Sequence, residues 1–122
     1  MQGNTIKLGF HGATSMHADL QTDVAAAAQA GFKMLELWAA KVDRFLADHP
    51  LAELKALFQN HNVAPMTFNS IEFIAFRGDE FAAINERCRY LCKVAQAIGC
   101  PSVAVIPSPT PGWETSWQTA WM

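Results

Sequence analysis

Four short apolar runs, separated by longer amphipathic segments, limit what this chain can fold into more than any other feature. They are IKLGF at 6–10, KMLELW at 33–38, VAPMTF at 63–68 and SVAVI at 102–106, a strand-like stretch returning roughly every thirty residues. Parallel neighbours need a crossover of a dozen or more residues, usually a helix. Strand and helix alternating at this spacing predict βαβ units, hence an α/β fold with a parallel sheet and helices packed outside it.

The intervening segments carry helix punctuation. ADLQTDVAAAAQA ends at Gly31, suited to a left-handed position just past a helix, with Asp19 or Thr22 as its N-cap. HPLAELKALFQNHN has Pro50 suited to the first helical position, and Leu51, Leu54, Leu57 and Phe58 form one stripe. In DEFAAINERCRYLCKVAQAIG, Phe81, Ile84, Cys88, Leu91, Ala95 and Ile98 form the buried stripe, while Arg87, Arg89 and Lys93 form a solvated face. Gly99 closes that helix and Pro101 discourages its continuation.

Four strands, three helices and the start of a fourth helix fill residues 1–122 as one domain. A doubly wound nucleotide-binding sheet predicts a glycine-rich phosphate loop after the first strand, and GFHGATSMHADL does not match GxGxxG. A (β/α)8 barrel takes about 250 residues. The 122 residues present supply about half of that, so the expected architecture is half a TIM barrel.

Composition narrows the partners. A formal charge of −2 with scattered Lys and Arg provides no basic stripe for phosphate, so neither nucleic acid nor a membrane surface is expected. No apolar run reaches the roughly 20 residues of a bilayer span, and MQGNTIKLGF lacks a signal-peptide layout, so a cytoplasmic location is expected. Cys88, Cys92 and Cys100 are an odd number without a CxxC pair or a neighbouring His, which favours small buried side chains over disulfides or a metal. No GxSxG elbow or Walker loop is present, nor is an HxH on the first strand.

AAQAGFKMLELW resembles the first helix and second strand of the xylose isomerase-like TIM barrels, where Ala-Gly-Phe/Tyr leads into a strand closing on Glu-Leu. LAELKALFQNHNVAPMTFN is similar to their second helix and third strand, and CRYLCKVAQAIGCPSVAVIPSP to their third helix and fourth strand. The resemblance covers nearly the whole chain but only the N-terminal half of that barrel. It implies a sugar or sugar-phosphate isomerase or epimerase, an inositol-catabolism dehydratase or a DNA-repair endonuclease. The endonuclease branch is disfavoured, because it implies further histidines at the early strand ends and a basic surface. The resemblance also implies a divalent metal (Mn, Mg, Co or Zn) beside a carbohydrate or polyol substrate, with carboxylates shuttling a proton. Its Glu, Asp, His, Glu ligands lie in the second half of the barrel, so no metal is expected to bind through this chain alone and no catalytic residue is assigned.

Strand alternation gives the pocket face, because side chains point in turn to the barrel interior and to the helices, and the active face lies at the strands' carboxyl ends. Leu35 and Leu37 suit the helix side, which turns Met34 and Glu36 inward. His11, Thr67, Asn69 and Ser108 fall on the same rim, and Trp38 adds an apolar wall. Glu36, His11, Asn69, Ser108 and Trp38 are therefore the candidate substrate-binding residues. Carboxylate, imidazole, amide and hydroxyl together donate to and accept from sugar hydroxyls. Glu36 equally suits a structural role, accepting loop amides or pairing with a base, and His11 either an acid–base or a packing role. Glu72, Phe73 and Phe76 fall in the long loop after the third strand, where such barrels place substrate-covering segments.

The closing PSPTPGWETSWQTAWM starts a fourth helix at Thr115 or Thr110 and spaces Trp113, Trp117 and Trp121 four apart, an apolar stripe that calls for a partner. Two classes remain. One is a metal-dependent isomerase or epimerase completed by a second-half chain, inactive alone. The other is a non-catalytic half-barrel module. Open sheet edges predict a homo-oligomer or a complementing chain under both.

Overall fold

The computed structural model describes residues 6–109, and the expected fourth helix with its three tryptophans lies outside them. Four parallel strands, β1 (Gly9–His11), β2 (Met34–Trp38), β3 (Ala64–Ile71) and β4 (Val103–Val105), form one sheet in the order β1-β2-β3-β4. Helices α1 (Leu20–Gln29), α2 (Ala39–Asp48), α3 (Leu51–His61) and α4 (Phe81–Ile98) make the crossovers. Sequential strands lying side by side with a helix between each pair are the arrangement of a barrel, and the sheet is an open half of one.

The β2 to β3 crossover holds two helices where the sequence pattern indicated one. α2 follows Trp38 directly and is capped by His49, whose extended backbone (φ −131°, ψ 142°) is what a following proline imposes. Pro50 is the cap of α3 rather than its first residue. At α1, Asp19 is the N-cap and accepts the Thr22 amide at 2.8 Å, while Gly31 and Gly99 both take positive φ after helix ends.

One core lies between sheet and helices. Leu35 and Leu37 from β2, Phe68 from β3, Leu54 from α3 and Leu91 from α4 are all at 0% exposure within it. The opposite face of β2, carrying Met34, Glu36 and Trp38, is only partly covered, as the alternation predicts. The first strand begins later than its apolar run implied, so Ile6 and Leu8 stay exposed beside it. Phe81 is 57% exposed rather than on the buried stripe, because α4 meets the core farther along, with Ile84 and Cys88 partly buried against it and Leu91, Ala95 and Ile98 within it. Arg87 is not merely solvated: its guanidinium bridges both Asp43 oxygens at 2.9 and 2.6 Å and ties α4 to α2.

Candidate active-site rim

Register sets which side chains meet. His11 pairs with Glu36 across β1 and β2, and Trp38 with Asn69 across β2 and β3; His11 and Trp38 end their strands, and Glu36 and Asn69 stand two residues before the ends of theirs. Asn69 reaches this rim through a bulge: Leu35 pairs with Pro65 but Glu36 with Thr67, so Met66 is an extra residue in β3. Pro65 has no amide to donate, and bulges are where a sheet accommodates such a residue. Pro65 is buried on the helix side, and plain alternation from it would send Thr67 and Asn69 there too. The extra residue turns Phe68 into the core instead and leaves Thr67 and Asn69 partly exposed on the other face.

Glu36 is the centre of the rim. Its Oε1 accepts Asn69 Nδ2 at 3.2 Å and lies 3.4 Å from His11 Nε2. Among the described residues no hydrogen bond or ion pair falls on Oε2. The His11 tautomer follows from its other nitrogen, which accepts the Ala13 amide at 2.9 Å. A backbone N–H can only donate, so Nδ1 is bare and the ring proton of neutral His11 sits on Nε2, facing Glu36. The carboxylate thus accepts one hydrogen bond, from Asn69, on the same oxygen that the His11 ring faces at 3.4 Å.

The remaining candidates are placed differently. Trp38 sits at the end of β2 with Lys41 Nζ 6.0 Å from its ring centre. The Ser108 hydroxyl oxygen accepts the Ala75 amide at 2.9 Å, which pins the β3 to α4 loop. Thr67 donates to the Ser102 carbonyl at 3.3 Å, and Glu72 accepts from Ser70 at 3.5 Å. Phe73 and Phe76 both take positive φ in that loop, and Phe76 is exposed. The register therefore places His11 beside Glu36 and Trp38 beside Asn69, while the Ser108 oxygen accepts the loop amide of Ala75.

A buried ionic cluster beneath the rim has no counterpart in the sequence reading. Lys41 and Asp23 side chains are 0% and 1% exposed, with Nζ 2.6 Å from Oδ2. Lys41 also donates to the Ser15 carbonyl at 2.8 Å, and the Ser15 hydroxyl donates to Asp23 Oδ1 at 2.5 Å. The signal was present: Asp23 shares the α1 stripe with Leu20, Val24 and Ala27, and Lys41 the α2 stripe with Val42 and Phe45. A charge on each of two apolar stripes predicts a buried pair.

Among the described residues no group of three or more His, Cys, Asp or Glu side chains converges as a metal centre does. The His11–Glu36 pair offers two donors, fewer than the three protein ligands of a catalytic zinc site. The described rim does not by itself fit a catalytic metal. No helix among the described residues is long and apolar enough to cross a membrane.

No family model matches the chain. Two curated proteins named inosose isomerase are similar to it. The one from Bacillus velezensis is 29% identical over 70% of this chain and 34% of its own length; the one from Halalkalibacterium halodurans is 27% identical over 86% and 38%. The chain thus spans little more than a third of the curated relatives it matches. Among solved structures, the IolI protein with a bound zinc atom superposes with a TM-score of 0.79 at 25% identity, covering 87% of this chain and 39% of that one. AsbF, a probable 3-DHS dehydratase from Bacillus anthracis, superposes with a TM-score of 0.68 at 17% identity, covering 82% and 38%, a likeness of fold alone. The four-stranded parallel sheet and its sequential strand order make the chain an open half of a TIM barrel, similar in structure to the IolI protein and in sequence to the inosose isomerases.

Proposed function

We propose that this chain supplies the substrate-binding rim of a barrel that isomerises an inosose or a related sugar or polyol. The Glu36 carboxylate carries the proposal, one oxygen accepting from Asn69 and standing 3.4 Å from His11 Nε2. Glu36 and Asn69 bind vicinal hydroxyls, the His11 Nε2 proton donates to a substrate oxygen, and Trp38 packs against the ring's C–H face. Isomerisation next to a carbonyl needs a proton taken from one carbon and returned to another, and an oriented carboxylate is a suitable carrier. The similarity to the inosose isomerases supports this substrate class.

The divalent metal of such a barrel, Mn, Mg, Co or Zn, is held by residues beyond this rim, and the described chain alone is inactive. A complementing second-half chain or a second copy completes the wall. The exposed thiol of Cys92 and the unpaired Cys88 and Cys100 suit a reducing cytoplasm. The test is conversion of inosose by the purified chain with each metal, alone and after adding a polypeptide matching the rest of the relatives' barrel. Activity only in the mixture, lost in Glu36→Gln, is the expected result. Turnover unchanged by Glu36→Gln would overturn the assignment.

A second reading, a half barrel that assembles without catalysis, is favoured by the sheet edges. Ile6 and Leu8 beside β1 and Val105 and Ile106 at β4 are exposed. Assembly of the chain without turnover in any mixture would select it.

A further inference from the structure

We propose that Lys41, Asp23 and Ser15 are positioning residues whose buried ionic cluster holds the β1 to α1 turn, and through it the orientation and tautomer of His11. His11 leads into a single 3-10 turn, Gly12–Ser15, whose second residue, Ala13, gives its amide to His11 Nδ1. The turn ends at Ser15, and there it is gripped from below. Lys41 on α2 takes the Ser15 carbonyl at 2.8 Å, and Asp23 on α1 takes the Ser15 hydroxyl. Lys41 and Asp23 meet at 2.6 Å with almost no exposure, so both charges are satisfied only in this arrangement.

Gly12 shows how closely the turn is seated. A methyl group there would stand 3.2 Å from Asp23 Oδ2 and 3.3 Å from the Glu36 carbonyl oxygen and the Trp38 nitrogen. A side chain at this position would therefore press on both the cluster and the β2 backbone that bears Glu36 and Trp38. The cluster is costlier to bury than apolar side chains of similar volume, and an ion pair of this kind is best retained where it fixes one geometry. Here the geometry fixed is that of the His11 imidazole over Glu36.

This inference rests on reading His11 as a rim residue, yet its test does not depend on a ligand. Hydrogen exchange and imidazole 15N NMR are recorded on the wild type, on Lys41→Met/Asp23→Leu, which removes both charges together, and on the milder Ser15→Ala. In both variants the Ala13 amide is expected to exchange at least tenfold faster. The His11 nitrogens move from one bare and one protonated signal toward an averaged pair, while Leu35 and Leu37 amides keep their protection. Unchanged Ala13 exchange and His11 signals would overturn the proposal, as would equal losses at Ala13, Leu35 and Leu37, which mark a general stability role. Titration of the wild type with an inosose separates the two readings, since failure there removes the substrate assignment and leaves the exchange result standing.

Discussion

Truncating two residues of one strand separates the covered from the open face of the half barrel. Leu37 is at 0% exposure between the sheet and its helices, in the layer with Leu35, Phe68 and Leu54. Met34, three residues earlier on the same strand, faces the other way and is partly covered. Burying a leucine side chain contributes about 1.5–3 kcal/mol, and the cavity left by Leu→Ala raises the total to about 2.7–5 kcal/mol. Leu37→Ala is therefore expected to cost about 3–4 kcal/mol, a large share of the roughly 5–15 kcal/mol that holds a domain together. Met34→Ala leaves no enclosed cavity on an open face and is expected to cost below about 1 kcal/mol. Urea denaturation followed by circular dichroism at low protein concentration reads both. Equal losses at the two positions would refute the picture, because they require the inner face to be as tightly packed as the outer one.

Two further outcomes concern the helix ends. Asp19 caps α1, and its carboxyl is held below the usual value by its hydrogen bonds with Thr22, side chain first and backbone second. A lowered folded value means a contribution present above the unfolded value and lost as pH falls through the folded one. Asp19→Ala is thus expected to lower stability by about 1 kcal/mol near neutral pH and by less in acid below the folded pKa, checked by urea midpoints across that range. Gly99 ends α4 at φ +76° with no atom within 4 Å of an added methyl. Gly99→Ala is expected to cost about 1 kcal/mol from backbone strain alone, seen as a lower melting temperature without loss of helix signal.

Much of the fold was legible because the hydrophobic pattern carries it directly. Leu35 and Leu37 alternate with Met34 and Glu36, and Gly31 and Gly99 stand where helices must stop. The split crossover was hidden because Lys41 breaks the apolar stripe of α2 with a charge whose partner lies on another helix. Only the matching charge on the α1 stripe, Asp23, shows that Lys41 is buried rather than solvated. The bulge at Met66 was equally hidden, although Pro65 in an interior strand was its available sign. At the rim, Glu36 could be placed on the open face from alternation in β2, whereas Asn69 reaches it through the bulge and the contact between them required the register. The Ser108 hydroxyl oxygen accepts the loop amide of Ala75, a contact no pattern encodes.

The rim itself is tested most directly by titrating the 15N-labelled chain with an inosose and following the Asn69 side-chain amide and the His11 imidazole. Saturable shifts at both, abolished by Glu36→Gln and absent from the Leu54 amide in the outer core, are the predicted result. Shifts confined to residues away from Asn69 and His11, or unaltered in Glu36→Gln, would contradict the account.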